Sequence, residues 1–233
     1  MSRLASFHTP STPTPSPVQF KRGGGVGPGS PSRTSESTYH RKIRSALQEI
    51  RSITETWDEL VLIDGLKAAR TLVDTRTDLT NALSLLQDAL PRKHLVGPKV
   101  TTMEKCLLDL DIVISKLEKQ FQKLTSVVDG MESTLVEAHK MKGWRWVQEE
   151  PLWTTWSLEK FVTAIGSIIP PYHRSLHDHM ELVDTFRPHA TSFEVGRGII
   201  AKWIEQPWLE EGGWPQKWED ICAVEVEHWN KVK

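Results

Sequence analysis

Three histidines, His173, His177 and His179, come nearest in this chain to a spacing that could do chemistry. Residues four apart share a helix face, so His173 and His177 could pair on a zinc ion, as imidazole ligands do. His179 falls on a different face. Asp178 and Glu181 lie nearby, but one helix rarely furnishes three ligands alone, and a solvated helix surface is the alternative. No phosphate-binding GxxxxGK[ST], no GxGxxG after a strand, no GxSxG and no HExxH occurs. The glycine-rich run Gly23 to Gly29 has no strand before it and no helix after it. The sequence therefore points to no catalytic residues, no cofactor and no metal, and to a protein that is not an enzyme.

Trp203-Ile204-Glu205-Gln206-Pro207-Trp208-Leu209-Glu210-Glu211 carries a different signal. Two tryptophans bracket a proline, an acidic pair follows, and Trp203 to Trp229 holds seven carboxylates against one lysine. One explanation makes Trp203 a core anchor and Trp208 the cover of a turn. The other makes Trp203, Gln206, Pro207, Trp208 and Glu210 an aromatic and acidic ledge for a basic partner, since tryptophan often dominates interfaces. The two are compatible.

A third kind of chemistry is covalent modification. Thr9, Thr12, Thr14, Ser16 and Ser30 each precede a proline, and Ser30-Pro31-Ser32-Arg33 adds a basic residue three positions on. They lie in residues 1–38, where six Pro, five Gly, eight Ser and five Thr leave little to bury, so that segment is expected to be a disordered tail. Proline-directed phosphorylation is the functional expectation there; chance pairs in such a composition are the other.

The elements that would position these residues are helices. Thr101-x-x-Glu104 has capping-box spacing, and from it two heptad rows run to about Lys140. The rows are Met103, Leu110, Leu117, Leu124, Met131 and Leu107, Ile114, Phe121, Val128, Leu135. A helix of that extent spans roughly 60 Å at about 1.5 Å per residue, which suits a coiled coil or long bundle. Before it, Ile43, Leu47, Ile50, Trp57 and Val61 share one face; Asp64-Gly65 reads as a turn or break. A second run from Leu66 to Leu90, which could continue the first helix or fold back on it, is stopped by Pro91, and 91–100, with Gly97-Pro98, reads as a linker.

After Lys142 the composition changes, for nine of the ten tryptophans lie between Trp144 and Trp229. Gly143 to Pro151 is expected to be irregular. Ser157 should cap a helix that Pro170-Pro171 ends or kinks, and further helices run to Pro188, to Pro207 and onward from Pro215. No strand alternation occurs. The fold class is all-α: an elongated helical hairpin or coiled-coil bundle over 39–142, a Trp-rich helical module over 143–233, and the tail. A net charge of −1 gives no reason to expect direct nucleic-acid binding. No apolar run is long enough for a membrane span, and two cysteines without CxxC spacing suit a reducing, intracellular setting.

The sequence resembles the cyclin-dependent kinase 2-interacting protein family in three stretches. These are Tyr39 to Ile43 continuing to Trp57-Asp58-Glu59-Leu60; Leu152 to Phe161 with Pro171 to Leu176; and Trp203-Ile204-Glu205-Gln206-Pro207-Trp208-Leu209-Glu210, similar to the family's Trp-x-x-Gln-Pro-aromatic-x-Glu. Pro170-Pro171, the long tail and the extra tryptophans depart from animal members. The resemblance implies a non-catalytic adaptor in the nucleus, and in the cytoplasm as well. Its expected partners are a cyclin-dependent kinase or an AAA+ ATPase complex, in DNA replication, checkpoint signalling or ribosome maturation. The competing expectation is a structural coiled-coil subunit of a kinetochore or vesicle-tethering type, whose leucine faces pair with other chains.

Overall fold

Residues 36–85, 92–188, 191–211 and 213–227 are described by the computed structural model. Residues 1–35 with the five candidate phosphorylation sites, the Leu86 to Pro91 end of the second run, and Trp229 lie outside them. Among the described residues the chain is all-α, with one isolated bridge between Pro151 and Ser157.

Helix α1, Thr38–Glu59, begins at a reciprocal cap between Ser37 and His40. It buries Tyr39, Ile43, Leu47, Ile50, Ile53 and Trp57, the stripe expected from their spacing. Asp64-Gly65 does not break the chain. A π-helical turn, Leu60–Gly65, carries it straight into α2, Leu66–Ser84. Such a turn adds a residue to the helical repeat and so re-aims the apolar stripe. Beyond it Ala68, Ala69, Leu72 and Val73 are buried.

Helix α3, Lys93–Lys142, runs for 50 residues, roughly 75 Å at about 1.5 Å per residue. It starts eight residues before the expected capping box, which corrects the linker assigned to 91–100. Pro98 lies inside the helix, where it forfeits one backbone bond near an end. Packing outweighs that loss: Val100 meets the core and Lys99 bonds Asp78 of α2 at 2.9 Å. Thr101 is accordingly no cap, and its hydroxyl donates to the Gly97 carbonyl.

The ion pairs Lys42–Glu137, Lys116–Asp64 and Lys99–Asp78 fix α1–α2 and α3 as an antiparallel hairpin. Met103, Leu110, Leu117, Leu124 and Met131 are all buried. The row beside them is mainly Cys106, Val113 and Thr134, three residues on rather than four; of the second expected row only Val128 is fully buried.

Gly143, at φ 86°, turns the chain into α4, Trp144–Glu149. This short helix corrects the irregular segment expected there. Val147 is buried, Trp146 meets Tyr39 at 5.4 Å, and Arg145 pairs with Glu149. Ser157 caps α5, Leu158–Gly166, by accepting from Lys160 N–H. Pro170 and Pro171 fall in the first turn of α6, Ile169–Phe186, where missing N–H groups lack intrahelical partners in any case. Arg187 reaches Asp111 and His173 meets Phe121, so α6 runs antiparallel to α3.

Helix α7, Phe193–Glu205, lies against α2, with Gly196 beside Val73 and Trp203 beside Val61. Helices α2, α3, α6 and α7 thus form an up-and-down bundle. Short α8, Pro207–Glu211, and α9, Trp214–Glu219, lead to a second π-helical stretch, Asp220–Glu227. There the buried Glu225 carboxylate accepts from the N–H groups of Thr155 and Trp156, at 2.9 and 3.0 Å, and from the Thr155 hydroxyl. The residues Glu36–Lys233 make one unit, so the hairpin and the Trp-rich third share a core.

Candidate protein-binding groove around the Trp-Gln-Pro-Trp turn

Trp203 is the inner anchor of the motif. It is fully buried, and its indole N–H donates to the Val61 carbonyl at 2.9 Å. That carbonyl belongs to the π turn, where it also accepts from the Leu66 N–H. Gly65 stands where a Cβ would lie 2.5 Å from Trp203 Cζ2, so only glycine gives the ring this seat. On its other side, His179 stacks edge-on at 4.6 Å.

Gln206 ends α7 in the left-handed conformation, φ 40°, which turns the chain sharply enough for Pro207 to begin α8. Its side chain is buried, and Oε1 accepts from the Trp57 indole at 3.2 Å. Trp57 in turn stacks edge-on against Tyr172 at 5.0 Å. Burial pushes the Asp58 carboxyl above its ordinary range, and a bond from Gln206 partly offsets this. The Tyr172 hydroxyl is pushed up by burial and by the Asp58 charge.

Trp208 lies outside this lock, half-buried on the surface of α6. Its indole N–H donates to Asp178 at 2.6 Å, and the Arg174 guanidinium sits 4.9 Å from a ring centroid. A groove of about 480 Å³ opens between α6 and the end of α7. Trp208 and Pro207 line it together with Asp178 and Glu181 of α6 and Lys202 and Glu205 of α7. An aromatic wall with surplus carboxylates suits a cationic side chain.

Of the five motif residues, Trp203 and Gln206 are therefore core groups that a partner could reach only by unfolding the turn. Pro207 and Trp208 are half-buried and Glu210 is exposed. The three histidines diverge. His173 lies against Phe121, His177 pairs with Glu181 at 3.3 Å, and His179 is buried with Nδ1–H donating to the Ser175 carbonyl at 2.6 Å. Burial holds the His179 imidazole below its usual pKa. No cluster of three His, Cys, Asp or Glu placed to hold a metal occurs among the described residues. No described helix is long and apolar enough to cross a membrane.

Sequence reasoning missed Asp178 and Arg174, which hold Trp208, because nothing in their spacing links α6 to a residue 30 positions on. It also missed Arg76, whose signal was available: a basic residue three, four and seven places after Val73, Leu72 and Ala69 sits on their buried stripe. No family model matches the chain, and no curated protein matches its sequence.

Proposed function

We propose that this chain is a non-catalytic adaptor that takes a basic segment of a partner protein into the groove beside Trp208. The single observation supporting this is the division within one short motif. Trp203 and Gln206 are spent on holding the turn, whereas Trp208 stays half-exposed over three carboxylates. Half-buried tryptophans rimmed by charge are the kind of residue that dominates interface energetics. The resemblance described above supports a cyclin-dependent kinase or an AAA+ ATPase assembly as that partner. It also supports a nuclear setting in DNA replication, checkpoint signalling or ribosome maturation.

The test separates the two tryptophans. Trp208→Ala should abolish most partner recovery in a native pulldown while circular dichroism stays that of wild type. Trp203→Ala should lower stability by about 3–5 kcal/mol, the usual loss for truncating a buried aromatic. Equal helicity loss in both would refute the division, and recovery of neither kind of partner by wild type would remove the resemblance-based assignment. The competing reading, a structural coiled-coil subunit, loses most of its surface, because the row from Met103 to Met131 is buried within the chain. Leu108 and Ile112, 62% and 52% exposed one turn apart on α3, are what remains in its favour. Sedimentation decides it: a monomer supports the adaptor, a concentration-dependent oligomer the subunit.

A further inference from the structure

We infer that a second cavity bordered by Trp208 receives an acidic side chain of the same partner segment whose basic residue enters the groove. This rests on the groove reading above and narrows it: the partner segment carries both signs of charge and is not purely basic. The second cavity, of about 310 Å³, lies where the first turns of α6 meet α8 and α9. Trp208 is the one described residue that borders both it and the groove of about 480 Å³. The two spaces differ in charge. Asp178, Glu181 and Glu205 outnumber Lys202 around the groove, whereas Arg174 and Lys217 outnumber Glu211 around the second cavity.

The Arg174 guanidinium lies over the Trp208 ring at 4.9 Å, so one of the two cations is held at the boundary between the spaces. No ion pair among the described residues engages Arg174, Lys217 or Glu211. All three side chains are exposed, so an incoming carboxylate meets hydrated cations and leaves no buried charge unpaired. Much of the remaining lining is apolar. Pro170 and Pro171 lack a backbone N–H, and their rings border the cavity together with those of Trp208 and Trp214. A glutamate suits this combination, because its methylenes can lie on the rings while its carboxylate meets Arg174 and Lys217. A purely basic segment running past Trp208 would instead bring like charge to the two cations, which selects against it.

Fluorescence polarisation of the full chain with labelled peptides tests this. The host peptide is a neutral alanine–serine chain with two adjacent arginines. A glutamate is placed one to five positions from them on either side, about 3–17 Å along an extended chain, with glutamine at the same place as the control. At least one placement is expected to bind about three- to tenfold tighter than its control, within what two exposed ion pairs supply, and to lose that gain at high salt. Lys217→Ser should remove most of the gain and leave the arginine-only peptide bound as before, and Glu211→Gln should enlarge the gain. Circular dichroism checks that both variants keep the fold. If no glutamate placement improves on glutamine, or if the gain survives Lys217→Ser, the second cavity is overturned while the groove stands. If the arginine-only peptide does not bind at all, the groove reading falls and this inference falls with it.

Discussion

Replacing Gly65 by alanine tests the packing of the π turn with a single methyl group. The added Cβ would lie 2.5 Å from Trp203 Cζ2 and 3.1 Å from both Trp203 Cε2 and the Leu60 carbonyl oxygen. The ring has nowhere to go, being bonded through its N–H to Val61 and braced by His179. Overpacking of this sort costs about 1–3 kcal/mol, and breaking the indole bond adds about 1 kcal/mol. Alanine regains about 1 kcal/mol over glycine in a helix. The net expectation is a loss of about 1–3 kcal/mol, a fall of roughly 3–10 °C in Tm for a unit of this size. Gly130→Ala is the control, because its Cβ would meet nothing within 4 Å, and it should gain about 0.5–1 kcal/mol. Urea and thermal unfolding of both variants give the comparison. In a Trp203→Phe background, which lacks the atom that clashes, the penalty of Gly65→Ala should shrink. If Gly65→Ala stabilises as much as Gly130→Ala does, the π turn is not the seat of Trp203 and the reasoning fails.

Two further expectations concern buried polar groups. The folded-state pKa of His179 is depressed by burial, with weaker opposing effects of the Ser175 and Trp203 carbonyls and of the Asp178 charge. Below about pH 6.5 the unfolded chain takes up a proton that the folded one refuses, so this stability is present above that pH and is lost as pH falls. Urea midpoints should drop between pH 8 and 5.5 in wild type, and His179→Phe, which keeps the ring against Trp203, should drop less; parallel curves would contradict this. Glu225→Ala should cost about 1–3 kcal/mol by removing the acceptor of the Thr155 and Trp156 amides, and faster hydrogen exchange at those two amides would identify the cause.

How much was legible in the sequence follows from which forces act locally. The apolar stripe of α1, the first heptad row of α3 and the Ser157 cap were readable, because side-chain period and cap chemistry are properties of neighbouring residues. Gly97-Pro98 misled, since a proline near a helix start forfeits only one bond and the tie of Lys99 to α2 is invisible in the local sequence. Asp64-Gly65 looked like a turn, but its glycine serves a tryptophan 138 positions on, a distant demand in a local disguise. The Trp-Gln-Pro-Trp stretch stood out in the sequence by its residue types alone. Only the fold could tell that its first half is internal and its second half faces the groove.

The seat of Trp203 on the π turn also bears on the order in which the molecule assembles. The hairpin closes over a short connection, and contacts of low sequence separation form early. The Trp203–Val61 bond joins residues 142 apart and must await closure of a loop of more than half the chain. The bundle is thus expected to fold as a hairpin with an open slot along its middle, into which the tryptophan drops last. In reverse, that slot is where slow unravelling should begin, and pulsed hydrogen exchange during refolding would see α7 protected after α3.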